Sequence, residues 1–116
     1  MNLPAEGTLL RVFLGESDRL AGKPLYEAIV LKAREMKLAG ATVLRGPMGF
    51  GHSSHLHTTK VLRLSQDLPL VIEIVDNEDK INAFVDAIEP IMGSALVTTE
   101  KVKVIRYGES GPCEPS

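Results

Sequence analysis

Two stretches of helical periodicity, each set between stretches of strand character, limit this chain more than any other feature. Leu25, Ile29, Ala33 and Met36 recur at helical spacing, with Lys32, Arg34, Glu35 and Lys37 on the opposite side. Ile81, Phe84, Val85 and Ile88 repeat the pattern later. Residues 8–14, 41–45, 68–75 and 95–107 carry the β-branched and aliphatic runs of strands. The order is strand, helix, strand, strand, helix, strand. Two βαβ halves of that order give an α+β, ferredoxin-like βαββαβ fold, a four-stranded antiparallel sheet with both helices on one face.

The punctuation agrees with this order. Pro24 suits the start of the first helix, and Gly40 is its expected stop. Asp76 reads as the N-cap of the second helix, with Asp79 as a capping-box acid. Pro90 ends or kinks that helix and Gly93 closes it. Residues 98–101 are expected to hold a bend or bulge, and 61–64 the returning arm of a β-ribbon. Residues 1–107 read as one domain, and 108–116, rich in Gly, Pro, Ser and Glu, as a flexible tail.

A sheet with helices on one face alone should alternate apolar and polar residues. Leu70-Val71-Ile72-Glu73-Ile74-Val75 does not alternate cleanly, and neither does 9–14. Apolar side chains therefore leave both faces, and the bare face calls for burial against identical subunits. Glu73 is a lone carboxylate in this apolar strand. It could act as a base, but cross-strand pairing with Arg11, Lys101 or Lys103 is its ordinary reading.

Four glycines, Gly40, Gly46, Gly49 and Gly51, fall within residues 40–51. Such density marks a close backbone approach or unusual backbone angles. Converging N–H groups there, with Arg45, can hold a phosphate, although the pattern is neither a P-loop nor a dinucleotide fingerprint. Next comes His52-x-x-His55-x-His57, a set of imidazoles suited to zinc or copper that lacks a fourth ligand within the loop. Ser53 and Ser54 lie beside these histidines without forming a nameable nucleophile–base–orienter set, so no enzyme is read from the sequence and no catalytic residue assigned.

Composition removes other classes. A net charge of −2 gives no basic field for nucleic acid, and 4% aromatic residues give no stacking platform. No apolar run approaches the length of a membrane span, and residues 1–6 lack the features of a signal peptide. A single cysteine, Cys113, fits a reducing cytoplasm.

Gly22-Lys23-Pro24-Leu25-Tyr26, Gly40-Ala41-Thr42-Val43-Leu44-Arg45-Gly46, Gly49-Phe50-Gly51, Ser65-Gln66-Asp67-Leu68-Pro69 and Ile74-Val75-Asp76 resemble the domain-of-unknown-function 190 family. Those proteins are similar to PII signalling proteins, and the resemblance covers about residues 7–107. It implies a homotrimer with a small effector, such as an adenine nucleotide, in the clefts between subunits. It also implies a mobile loop that contacts a protein partner, such as a membrane transporter. Residues 46–60 then look like that loop, and Arg45, Gly46, Gly49 and Gly51 like its base. Arg106 falls where PII proteins place a basic phosphate contact. This chain departs from PII proteins in having Met92-Gly93-Ser94-Ala95, without lysine, where they carry a Gly-rich loop ending in lysine. It also has no tyrosine within the loop. No cofactor is expected. Two alternatives stay open: a divalent metal-binding trimer of the cation-tolerance type using His52, His55 and His57, and an oligomeric adaptor without effector.

Overall fold

A computed structural model describes residues 6–50, 57–58 and 68–108. Its main sheet is formed by four antiparallel strands, β1 (Glu6–Gly15), β4 (Thr42–Arg45), β7 (Pro69–Asp76) and β8 (Leu96–Lys103), in the order β4-β7-β1-β8. Helices α1 (Leu25–Glu35) and α2 (Glu78–Ile88) complete the α+β, ferredoxin-like arrangement. Two short ribbons decorate it: β2 (Arg19–Leu20) with β3 (Lys23–Pro24), and β5 (Met48–Gly49) with β6 (His57–Thr58). The first falls in a stretch that reads as plain loop. Ala21 and Gly22, both at positive φ, turn it in the way two-residue hairpins favour.

The core lies between the sheet and the helices. Leu10, Val12 and Leu14 of β1 and Leu70, Ile72 and Ile74 of β7 meet Leu25, Ile29 and Ala33 of α1 and Ile81, Phe84 and Ile88 of α2. Burial alternates strictly along β7 and along most of β1, as the pleat requires. The alternate positions on the open face are Leu9, Arg11, Phe13, Val71, Glu73 and Val75, all only half-buried. Both faces of the central strands are therefore apolar. Arg11 is paired directly opposite Glu73, and its Nε donates to the carboxylate at 3.0 Å; Nη1 donates to Glu100 at 2.6 Å. The hydrogen bond to Glu73, then that to Glu100, holds the guanidinium still more firmly protonated than a free arginine.

Several boundaries differ from the sequence reading. α1 ends at Glu35, not at Gly40. Lys37 takes the left-handed position with φ 61°, and Leu38 N–H donates to Ala33 O while Lys37 N–H donates to Arg34 O. This is a Schellman closure that places Leu38 against the core, so the hydrophobic contact outweighs the penalty of a non-glycine residue there. Pro24 sits at the N-cap position of α1, one residue before the first helical turn. β8 stops at Lys103, and its register with β1 runs without a bulge from Leu96 to Lys103. Pro90 does open a 3₁₀ turn, Glu89–Ile91, and Gly93 follows at φ 57°. The expected returning arm at 61–64 and the expected tail at 109–116 lie outside the described residues.

Asp76 is not the helix cap. Asn77 caps α2, its side chain accepting from Lys80 N–H at 2.8 Å. Asp76 is the last residue of β7, opposite Thr8, and points inward with its side chain fully buried. Its carboxylate accepts from Ala39 N–H at 2.9 Å and Asn77 N–H at 2.7 Å, with Lys80 Nζ 4.0 Å away. One side chain thereby ties the exit of α1 to the entry of α2. Asp76→Ala should leave two backbone donors unpaired and lower the unfolding free energy by about 2–4 kcal/mol. Chemical denaturation checks this; a loss below about 1 kcal/mol contradicts the pinning role.

Candidate functional site: the base of the glycine-rich loop

Pro69, the first residue of β7, organises the loop base. Gly46 N–H donates to Pro69 O at 2.8 Å. A Cβ on Gly46 would lie 3.0 Å from Pro69 Cγ, and one on Gly49 would lie 3.1 Å from the same atom. Both contacts are tighter than most Cβ atoms make, so the Pro69 ring would have to give way by a few tenths of an ångström. Neither glycine has a positive φ. Of the two explanations that the sequence leaves for the glycines, close backbone approach is therefore the one that holds at Gly46 and Gly49. Gly40 meets nothing within 4 Å of a Cβ, and neither explanation holds there. Beyond Gly46 the chain pairs with itself, Met48 opposite Thr58 and Gly49 opposite His57.

Arg45 ends β4, opposite Leu70. Its Nη2 donates to the Glu16 carboxylate. The Glu16 backbone is fixed in turn: its N–H donates to Leu68 O at 2.8 Å, and the turn around it is closed by Gly15 N–H to Asp18 Oδ2 at 3.0 Å. Arg45 and Glu16 are separated by 29 residues in the chain and meet because both abut the start of β7. The sequence marks Glu16 only as one polar residue of a loop, so nothing short of strand register could have found the pair. Pro69 is likewise visible in the sequence only as an interruption of a strand.

Arg106 lies elsewhere. It follows β8, whose Lys103 pairs with Glu6 at the opposite end of β1 from Gly15. Arg106 lines a groove together with Thr42 of β4, three residues before Arg45. Residues 104–107 cross the open face. Val104 passes over Gly7, where a Cβ would come within 2.9 Å of Val104 Cγ2, and Tyr107 Oη donates to Ala39 O at 3.1 Å. Between this crossing segment and the sheet lies an open groove of about 680 Å³, floored by Leu9, Thr42, Glu73 and Val75.

Of the other residues singled out in the sequence, Gly51, His52 and His55 lie outside the described residues, as do Ser53 and Ser54. His57 is described only through its strand pairing. Among the described residues no three His, Cys, Asp or Glu side chains gather as a metal site, and no helix is long and apolar enough to cross a membrane.

Apart from Leu31 on α1, the exposed large apolar residues gather at the two edges of the sheet. Val43, Leu44, Met48 and Phe50 lie on or just beyond the edge strand β4, while Leu96, Ile105 and Tyr107 lie along the opposite edge and its extension. Leu44 pairs with Val71, and Leu96 with Phe13, so both continue the open face outward.

Residues 7–104 match the profile of DUF190, described as "Uncharacterized ACR". A UPF0166 protein of Aquifex aeolicus is 39% identical over 97 residues, spanning 84% of this chain and 91% of that one. Among solved structures, CPII of Thiomonas intermedia K12, a nitrogen regulatory PII-like protein bound to ADP, AMP and bicarbonate, superposes with a TM-score of 0.67. It is 14% identical, and the match covers 87% of this chain and 90% of CPII. A PII-like signaling protein of Thermus thermophilus gives 0.63 at 11% identity, over 87% and 91% of the two chains. At such identities the likeness establishes a shared PII-like fold.

Proposed function

The chain belongs to the DUF190 family, and on that footing we propose that it is a trimeric PII-like regulator with an adenine nucleotide as effector. The nucleotide sits in a cleft between subunits, with its phosphates against Arg45 and the backbone of Gly46, Gly49 and Gly51. Arg106 is supplied by the neighbouring subunit. Residues 46–60 then engage or release a protein partner according to the effector's presence. The protein works in the cytoplasm and catalyses no reaction of its own.

The observation that carries this reading is the apolar open face of the two central strands. Arg45 ends β4, and Arg106 follows β8 beside the groove over Thr42 and Glu73; in this reading a second copy supplies the Arg106 that meets Arg45. The half-buried apolar face, with Phe13, Val71 and Val75 at its centre, supplies the surface for that copy. The PII-like fold held in common with CPII, which binds ADP and AMP, supports adenine nucleotides as the effector class.

Calorimetric titration with ATP, ADP and AMP tests the nucleotide. Saturable binding is expected, weakened about tenfold or more by Arg45→Ala, since a charge-assisted hydrogen bond contributes about 1.5–3 kcal/mol. An absence of heat with all three removes the nucleotide from the reading.

A further inference from the structure

We propose that Glu16 selects the effector by competing with it for Arg45. The inference rests on the reading of Arg45 as a phosphate contact. The Arg45 guanidinium is already bonded to a carboxylate of its own chain. That carboxylate is not a chance surface partner. The Glu16 N–H to Leu68 O bond and the Gly15–Asp18 turn hold its backbone in place, and its side chain is 22% exposed. Arg45 is held as firmly from below, by strand pairing with Leu70 and by Gly46 N–H to Pro69 O, while its own side chain is 60% exposed. The bond thus joins a partly buried acid to a base that stays open to solvent on its other side.

An anion arriving from solvent meets Arg45 with its Nη2 already bonded to Glu16. It either displaces the Glu16 carboxylate or takes the donors left beside it, and in both cases it meets that carboxylate as a close like charge. A neutral ligand meets no such penalty, and a weak anion gains too little from Arg45 to offset it. An oxyanion carrying more than one negative charge, such as a terminal phosphoryl group, gains more from a guanidinium than a carboxylate does. Glu16 therefore sets a threshold that favours phosphate-bearing effectors with high local charge. The fraction of protein with Arg45 released scales the apparent affinity.

Titration of the full chain with ATP, AMP and adenosine tests this, comparing the native protein with Glu16→Gln, which keeps shape and removes charge. Loss of an exposed ion pair together with the repulsion should tighten ATP binding about three- to tenfold. Adenosine affinity should not change, and the gain for ATP should vanish in Glu16→Gln/Arg45→Ala. If Glu16→Gln does not fold, Glu16→Ser is read the same way. ATP binding by Glu16→Gln alone, with none by the native protein, supports the proposal in its strongest form. Equal ATP affinity in native and Glu16→Gln protein, with Arg45→Ala still weaker, overturns the competition and leaves the nucleotide site standing. Undiminished ATP binding by Arg45→Ala overturns it by removing its premise. Binding of ATP by neither native nor Glu16→Gln protein overturns the competition and the nucleotide reading together.

Discussion

Phe84→Ala should lower the unfolding free energy by about 3–5 kcal/mol, the range for emptying a large aromatic site in a packed core. Phe84 is fully buried at the middle of α2, between Ile81 and Ile88 on the same helical stripe. α2 has only this stripe with which to hold the sheet, since its remaining positions are mostly polar and exposed. Total stabilities of domains are about 5–15 kcal/mol, so the change removes a large fraction of what is available. Urea unfolding at fixed protein concentration should show a lower midpoint with an unchanged slope. A loss under about 1 kcal/mol would mean that α2 packs loosely and that the core sits elsewhere.

In the proposed trimer, Val71→Glu should separate the subunits without unfolding them. Val71 lies at the centre of the open face, directly opposite Phe13 on one side and Leu44 on the other. A carboxylate there, covered by another subunit and without a partner, costs several kcal/mol per interface. In a separated chain the same carboxylate faces water and costs little. The effect on assembly should therefore far exceed the effect on folding. Sedimentation should shift the variant toward single chains while circular dichroism stays native. Ala83→Glu, on the exposed outer side of α2, serves as the matched control and should leave assembly unchanged. Dissociation by both variants, or by neither, would show that the open face is not the specific contact.

The order of elements was legible because it depends on period alone. Leu25, Ile29 and Ala33, and Ile81, Phe84 and Ile88, are buried where helical spacing places them. The two-sided character of the central strands was legible for the same reason, from Val71 and Val75 breaking the alternation around Glu73. What failed were the junctions. Asp76 and Asn77 are both capping residues, and a one-residue offset decides which one caps α2 and which turns inward to hold Ala39. Only the pleat of β7 distinguishes them. Gly40 looked like a helix stop, but Leu38 could reach the core only if Lys37 turned first, and that is a tertiary demand. The loop base was legible as a place and not as a mechanism. Glycine density flagged Gly46 and Gly49, whereas the reason for them, Pro69, lies far along the chain. Glu16 carried no signal at all, because its meaning comes from Arg45 beside it in space.

Whether the bare side of the sheet is shared between copies decides the rest. Sedimentation equilibrium of the purified chain measures this directly, across protein concentrations and with and without ADP. The expected result is a mass three times the 12.6 kDa of one chain, persisting when the nucleotide is withdrawn. A mass of 12.6 kDa throughout would leave no cleft between subunits, and the shared effector site would not exist.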